Sequence, residues 1–334
     1  MTNQPTLSQF LAQHEDLRED CRRLIETVAG VCCEISAITR RGALGGNLGE
    51  EIGNTNVQGE EQKQLDLVSN ELFVKRLAPC GLLAAMASEE IEELIQPEGK
   101  RGALLMAFDP LDGSSNISVN IPVGSIFSIL PAPDAGRVAV AEDFFQPGKN
   151  QLAAGYAVYG QATMLVLTIG KGTQGFTLDP DSGEFILTEP GYRIPEQTGE
   201  YGINSSNQRF WHPPMQRYIE ECMAGKEGPR GRNFNMRWVG SMVAETQRIL
   251  TRGGTYLYPQ DTKQPFRPGR LRLLYETSPI GMLVEQAGGK ASDCTGPMLE
   301  VIPTSLHQRI GVALGSREEV ERIEQYHQES PIVL

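Results

Sequence analysis

The sequence is short of positive charge, of histidine and of patterned cysteine, and each shortage removes a class of function. Thirty Lys and Arg face 42 Asp and Glu, leaving a net charge of −12. Nucleic acid and anionic membranes both require a positive footprint, so neither is an expected partner. His14, His212, His307 and His327 are scattered without the spacing of a metal-ligand set, and surface or structural roles are expected for them. The cysteines, Cys21, Cys32, Cys33, Cys80, Cys222 and Cys294, form no C-x-x-C pair and lack the density of a disulfide scaffold, which points to reduced, mostly buried thiols. No apolar run approaches the roughly 18 residues of a bilayer-spanning helix. Met1-Thr-Asn-Gln-Pro5 has neither the basic nor the apolar region of a signal peptide, so a cytoplasmic location is expected.

What is present is an ordinary globular composition, 40% hydrophobic and 22% charged, in 334 residues, enough for two domains sharing one crevice. Leu17, Cys21, Leu24, Val28, Val31 or Cys32, Ile35 and Ile38 recur at steps of three and four, which predicts one core-facing helix from about Leu17 to Thr39. Residues 42–59 are rich in Gly, Asn and Glu without a period and read as a loop. Leu65 to Phe73 reads as an amphipathic helix carrying Asp66, an acid that by default would face solvent. Short apolar runs between Gly155 and Ile169 and between Gly175 and Leu187 read as strands. Glu189-Pro-Gly-Tyr-Arg-Ile-Pro195 reads as a link, dividing the chain into residues 1–192 and 193–334.

The densest chemistry lies in Ala103-Leu-Leu-Met-Ala-Phe-Asp109-Pro-Leu-Asp112-Gly-Ser-Ser-Asn-Ile117. Asp109 and Asp112 supply carboxylates, Pro110 restricts the turn between them, and the Leu111 carbonyl is a third hard oxygen suited to Mg2+. Gly113, Ser114 and Ser115 offer N–H groups and hydroxyls to an anion, particularly if a helix starts there. An ordinary Asp-Pro turn uses the same residue types, so this pattern alone decides nothing. Two further apolar runs also end in acids. Leu82 to Ala87 precedes Ser88-Glu89-Glu90, and Leu271-Arg-Leu-Leu-Tyr-Glu276 precedes a helical Ile280 to Ala287. Acids at the ends of three strands would converge on one crevice, the usual ligand position in open α/β sheets. Glu89 and Glu90 point opposite ways on a strand, so both reach one centre only if the chain turns there. Glu90-Ile-Glu-Glu-Leu-Ile95 also reads as the start of a short helix.

With these segments in place the chain resembles class I fructose-1,6-bisphosphatase along nearly its whole length. The resemblance rests on Gly53-Asn-Thr-Asn-Val-Gln-Gly-Glu60 with Lys63-Gln-Leu-Asp66, on Ser88-Glu-Glu90 and on Phe108-Asp-Pro-Leu-Asp-Gly-Ser-Ser-Asn116. It continues through Ala154-Gly-Tyr-Ala157, Tyr159-Gly160, Ala162-Thr-Met-Leu-Val-Leu167, Val239-Gly-Ser-Met-Val-Ala244, Leu271 to Glu276 and Gly288-Gly289.

The resemblance implies an α/β layered sugar-phosphatase fold, two α/β domains stacked with the active site at their junction. It implies hydrolysis of the 1-phosphate of fructose 1,6-bisphosphate, in gluconeogenesis or the Calvin cycle, by a homotetramer. Two or three Mg2+ ions, replaceable by Mn2+, would be held by Glu89, Asp109, the Leu111 carbonyl, Asp112 and Glu276. Glu90 with Asp66 would take the proton of the attacking water, and Glu60 stands where the family's Asp reaches a metal, one methylene longer. Asp112 and Gly113 to Ser115 would hold the reacting phosphate end. Asn204, Trp238, Tyr258, Arg270 and, across a subunit boundary, Arg237 would grip the 6-phosphate and furanose. In so acidic a chain the anion needs local positive charge, for which Arg237, Lys263, Arg270 and Arg272 are available.

Departures cluster at the sugar end and in regulation. The family pattern has two tyrosines where this chain has Asn207 and Trp238, and a lysine at Arg270. Looser selectivity, extending to sedoheptulose 1,7-bisphosphate, is therefore a second expectation. Ala103-Leu104 and Pro131 stand where AMP-inhibited relatives carry Lys-Tyr and Arg, so AMP insensitivity is expected. Pro131 to Glu142 is short and without cysteine, unlike the thioredoxin-controlled insertion of chloroplast relatives. Inositol monophosphatases share Asp-Pro-[Ile/Leu]-Asp-Gly but carry Trp-Asp where this chain has Tyr275-Glu276. A non-catalytic sugar-phosphate binder would be favoured only by broken acids, and none is broken.

Overall fold

The structure, a computed structural model, describes residues 4–46, 49–55, 61–134 and 136–331. A short helix α1 (Leu7–Ala12), a long helix α2 (Glu19–Thr39) and a hairpin of β1 (Glu51–Thr55) and β2 (Glu61–Lys63) precede α3 (Gln64–Leu77). Then come β3 (Leu83–Ser88), β4 (Leu104–Asp112), β5 (Val123–Pro131), β6 (Ala153–Tyr159), β7 (Thr163–Thr168), β8 (Thr173–Leu178) and β9 (Phe185–Glu189). These form a seven-stranded sheet in chain order, with β3 and β4 parallel and every later pair antiparallel. The remainder runs β10 (Glu200–Ile203), α4 (Pro213–Ala224), β11 (Asn235–Met236), α5 (Met242–Arg252), β12 (Thr255–Tyr258), β13 (Leu271–Arg272), α6 (Ser278–Gln286), β14 (Lys290–Ser292), β15 (Arg309–Ile310), β16 (Val312–Gly315) and α7 (Arg317–Glu329). Its five-stranded sheet has the order β11-β10-β12-β16-β14.

Period-two alternation along the strands sorts the side chains into five layers. Phe127, Ala157, Leu165 and Leu167 face outward onto Leu24, Val28 and Ile35 of α2 and Phe73 of α3. Their neighbours Ile126, Tyr156 and Val166 face inward onto Val243 and Ile249 of α5 and Ile280 and Leu283 of α6, which also meet Tyr256 and Leu314 of the second sheet. The other face of that sheet, Tyr201, Ile203, Leu257 and Ala313, packs on Met215 and Tyr218 of α4 and Val320 and Ile323 of α7. Helices therefore cover the first sheet on both sides, which is why β3 and β4 read as unbroken buried runs without alternation. Each large side chain buried in the shared middle layer is worth about 1.5–3 kcal/mol, so α5 and α6 tie the two sheets into one body. The layered α/β fold inferred from the resemblance is thus found.

Several local expectations need correction. The loop read over residues 42–59 contains a 3-10 turn at Gly42–Gly45 and the paired strand β1, and residues 47–48 and 56–60 lie outside the described residues. Glu60 is among the latter. The helix expected from Glu90 is a turn, after which Ile95 exchanges two backbone hydrogen bonds of 2.9 Å with Met86 and extends the sheet edge. The run from Leu271 to Glu276 is not a strand ending in an acid. Only Leu271 and Arg272 are strand, and Leu273–Thr277 form a π-helical turn. Helix α1 was not foreseen, although Thr6 and Gln9 form a capping box, with Oγ1 and Oε1 each accepting the other residue's N–H at 3.3 and 3.0 Å. All six cysteines are free thiols, with Cys33 and Cys80 half-buried and the rest buried. No helix of the described residues is long and apolar enough to cross a membrane.

Candidate active site

Asp109 and Asp112 lie three residues apart on β4, and on an unbroken strand they would point to opposite faces. The register shows how they come together. Asp109 pairs with Ile126 but Asp112 pairs with Gly124, so three steps on β4 match two on β5. The extra residue is a β-bulge, and it rotates one acid back into phase with the other. Carboxylate oxygens of Asp109, Asp112 and Glu276 consequently lie within 4.8 Å of one another, all buried. Within the bulge, Asp109 Oδ1 accepts the Leu111 N–H at 2.9 Å, while the Leu111 side chain anchors in the outer core. Asp112 Oδ2 accepts the Ser241 hydroxyl at 3.0 Å and the Val243 N–H at 2.9 Å, and so sits on the N-terminus of α5. That helix end offers unpaired N–H groups and a positive dipole, a natural seat for a carboxylate.

Glu276 enters from the π-turn, where its Oε2 accepts the Arg272 N–H at 2.6 Å. Such turns interrupt helices at functional sites because they swing one side chain out of the regular series. Glu89 enters from the turn after β3, its N–H bonded to the Phe108 carbonyl at 3.1 Å. Arg272, expected in a basic cluster for the distal phosphate, is instead buried among the acids. Its guanidinium lies 2.7 Å from Glu89 Oε1 and 3.7 Å from Glu276 Oε2. The physical reason is local: Arg272 immediately precedes the π-turn that carries Glu276, and desolvated carboxylates draw in the nearest cation.

Asp66 is turned inward, not toward solvent. Near the start of α3, its Oδ2 accepts the Lys63 N–H at 2.7 Å, while its buried Oδ1 has no hydrogen-bond partner. Glu90, half-buried beside Glu89 on the same turn, receives the Ser88 hydroxyl oxygen on its N–H at 3.3 Å, and Ser88 in turn donates to Asn70 Oδ1 of α3 at 2.7 Å. The turn thus lets the adjacent glutamates reach one neighbourhood, and the charges of both act on Asp66. Burial, opposed by the Lys63 N–H and reinforced by those glutamates, pushes Asp66 up to about 7. Burial, offset in part by Arg272, pushes Glu89 up to about 8. Asp112 rises to about 6 through burial, moderated by its Val243 and Ser241 donors. Asp109 is pushed well above the carboxylate range by burial and then by Glu89, Asp112 and Glu276. A cluster of hard oxygen donors this desolvated and this short of positive charge fits divalent cations.

Beyond the acids, Gly113 has a φ of 80°, and a Cβ there would lie 2.8 Å from the Ser241 Cβ, so only glycine closes this corner. A 3-10 turn over Ser114–Val119 follows, with Ser114 half-buried and Ser115 exposed. Asn116 of that turn reaches the Val239 carbonyl at 3.5 Å, joining the cradle to the segment that carries Arg237 and Trp238. Trp238 lies flat against Tyr256, with centroids 5.7 Å apart and 2° between planes, and 5.7 Å from Tyr258. Asn204 lies near the Tyr258 hydroxyl, and the Arg270 guanidinium sits 5.8 Å from the Tyr258 ring and 3.8 Å from Asp261. Asn204, Trp238, Tyr258 and Arg270 therefore share one wall. Arg237 is exposed with its Nε 3.6 Å from Glu200, Lys263 is exposed 5.8 Å from the Phe210 ring, and Asn207 is buried in the turn after Asn204. Sequence reasoning missed Ser241 and the helix terminus behind Asp112, although a serine directly before Met242-Val-Ala-Glu245 is an N-cap signal.

The family model "Fructose-1-6-bisphosphatase, N-terminal domain" matches residues 5–190, and "Fructose-1-6-bisphosphatase, C-terminal domain" matches residues 194–328. A Hydrogenophilus thermoluteolus protein named fructose-1,6-bisphosphatase class 1 is 58% identical, over 99% of this chain and 94% of its own. A Methylobacillus flagellatus protein of the same name is 55% identical, over 96% and 97%. The crystal structure of Leishmania major fructose-1,6-bisphosphatase in holo form matches with a TM-score of 0.91 at 40% identity, covering 98% of this chain and all of that one, and the apo form with 0.86 at 37%.

The raised carboxylates set a sign for pH dependence. Their uncharged forms are favoured in the metal-free fold, so the stability they contribute is full below the unfolded values near 4 and is lost as pH rises through about 6, 7 and 8. Cations binding the charged forms reverse that loss. Thermal unfolding in EDTA should therefore show a falling Tm from about pH 5.5 to about pH 8.5, and saturating Mg2+ should raise Tm more at the higher pH. An Mg2+ gain independent of pH would contradict the assignment.

Proposed function

Because the chain belongs to the class 1 fructose-1,6-bisphosphatase family, we propose that it hydrolyses the 1-phosphate of D-fructose 1,6-bisphosphate, giving fructose 6-phosphate and phosphate. The observation that carries this reading is the convergence of buried Asp109, Asp112 and Glu276 beside a glycine-serine cradle at the start of a helix. Glu89, Asp109, the Leu111 carbonyl, Asp112 and Glu276 would hold two or three Mg2+ ions, with Mn2+ as a substitute. Divalent cations so held supply Lewis acidity, offsetting charge on the phosphate oxygens and easing ionisation of an attacking water. Glu90 would accept the water's proton, and Asp66, whose buried Oδ1 has no hydrogen-bond partner and which feels the Glu90 charge, would serve as the relay. Glu60, outside the described residues, is assigned to the same apparatus. Gly113, Ser114 and Ser115 hold the reacting phosphate through neutral donors, with Asp112 at the sugar boundary.

At the far end, Asn204, Tyr258 and Arg270 bind the 6-phosphate while Trp238 covers the furanose. Arg237 serves the site of a neighbouring subunit in a homotetramer. Exposed Met236 and Val239 beside it, with Val119 and Ile121 on the cradle side, support an apolar interface there. The same reading puts the enzyme in the cytoplasm, in gluconeogenesis or the Calvin cycle, with the polypeptide divided near residue 192. Leu104 and Pro131 are register partners in the sheet and offer neither charge nor hydroxyl to a nucleotide, which supports AMP insensitivity.

Phosphate release from fructose 1,6-bisphosphate with Mg2+ or with EDTA tests the assignment. Asp109→Asn keeps the side chain's shape but removes a charged ligand, and kcat at saturating Mg2+ should fall at least about a hundredfold. Near-normal turnover would refute the role. Assayed with both sugars, the enzyme should prefer fructose 1,6-bisphosphate over sedoheptulose 1,7-bisphosphate by less than about a thousandfold in kcat/KM, and millimolar AMP should leave the rate unchanged. A wider preference would end the dual-specificity reading, and half-inhibition by micromolar AMP would end the insensitivity.

A further inference from the structure

A bulge leaves main-chain groups without ladder partners, and one buried at an active site must find them elsewhere. Here the Pro110 carbonyl, in the stretch between Asp109 and Asp112, accepts from a side chain. Ser125 faces it from β5, fully buried, and its hydroxyl donates to Pro110 O at 2.8 Å. The same hydroxyl oxygen lies 2.8 Å from the Tyr159 hydroxyl. Ser125 has one proton and spends it on Pro110, so Tyr159 must be the donor to Ser125. Tyr159 reaches it because Ser125 pairs with Ala157 on β6, placing Tyr159 diagonally next on the same face. A directed chain thus runs from β6 across β5 to the backbone between the two acids: Tyr159, Ser125, Pro110.

We propose that Ser125 and Tyr159 are positioning residues of the cation centre, fixing the bulge that brings Asp109 and Asp112 onto one site. The inference rests on the reading that those acids bind divalent cations, and extends it to residues that touch neither cation nor sugar. Hydrogen bonds in such a chain strengthen one another, and loss of one member loosens the rest. A bulge free to slide by one residue would return Asp112 to the opposite face, so a small loss of local order becomes a loss of a ligand.

Mn2+ binding to the metal-free full-length protein, followed by electron paramagnetic resonance without substrate, tests this apart from turnover. Ser125→Ala should weaken Mn2+ binding at least about tenfold, the range seen when groups behind metal ligands are removed. Tyr159→Phe keeps the Ser125 to Pro110 bond and should weaken it in the same direction but less. Ser36→Ala is the control: it removes the buried 2.6 Å Ser36 to Thr163 bond between α2 and β7 without touching the bulge. It should lower Tm and leave Mn2+ affinity unchanged. Ser125→Ala binding within twofold of wild type, or Ser36→Ala weakening it equally, would overturn the proposal. Should Ser125→Ala fail to fold, unchanged affinity in Tyr159→Phe would overturn it. If the wild-type protein binds no Mn2+, the underlying site assignment falls as well, whereas tight wild-type binding with unaffected variants removes only this inference.

Discussion

Crowding of like charges away from water governs this molecule. Three carboxylates within 4.8 Å of one another repel by roughly 3 kcal/mol per pair at an effective dielectric near 20, so three pairs approach the whole stability of a typical domain. Protons or cations must relieve this. Arg272 supplies one positive charge from inside the cluster, next to Glu89 and Glu276. Burial first, and then the repulsion that remains, raise the pKa of Asp109, Asp112 and Glu89, so that protons held there can give way to added cations. A chain with net charge −12 can thus recruit an anionic sugar bisphosphate without a broad basic surface.

The layered architecture makes that concentration sustainable. Asp109 and Asp112 come from β4, the second strand of the first sheet, Glu276 from the π-turn entering α6, and the donors to Asp112 from the start of α5. Both helices belong to the middle layer, packed on both sheets. Repulsion among the acids is therefore resisted by packed elements on every side, and no single loop bears it. The wall of Trp238, Tyr258 and Arg270 comes from the second sheet and the segments beside it, and its aromatic rings pack on the same middle layer that holds the start of α5.

Much of this was legible in the residues. The apolar period of α2, the short apolar runs of β6 to β9 and the Asp-Pro-Leu-Asp-Gly-Ser-Ser segment all carry their structure locally, because the side chains that dictate each element lie within it. The inward turn of Asp66 followed from family resemblance, since a helix surface position would otherwise read as solvated. Other features depend on partners distant in sequence. Whether β4 bulges between Asp109 and Asp112 is a matter of register with β5. Whether residues 90–95 become helix or sheet edge turns on Met86 offering its backbone to Ile95. Arg272 looked like a phosphate ligand because its charge was visible and its burial among acids was not. The π-turn at Glu276 likewise has no periodic signature to read.

Crystallography of the Mn2+-loaded protein, using anomalous scattering, addresses the central point most directly. The account predicts an anomalous peak at coordination distance from oxygens of Asp109, Asp112 and Glu276 together, with Asp109 still opposite Ile126 and Asp112 opposite Gly124. Peaks touching only one of those acids, or a β4 without the bulge and with Asp112 on the far face, would contradict it.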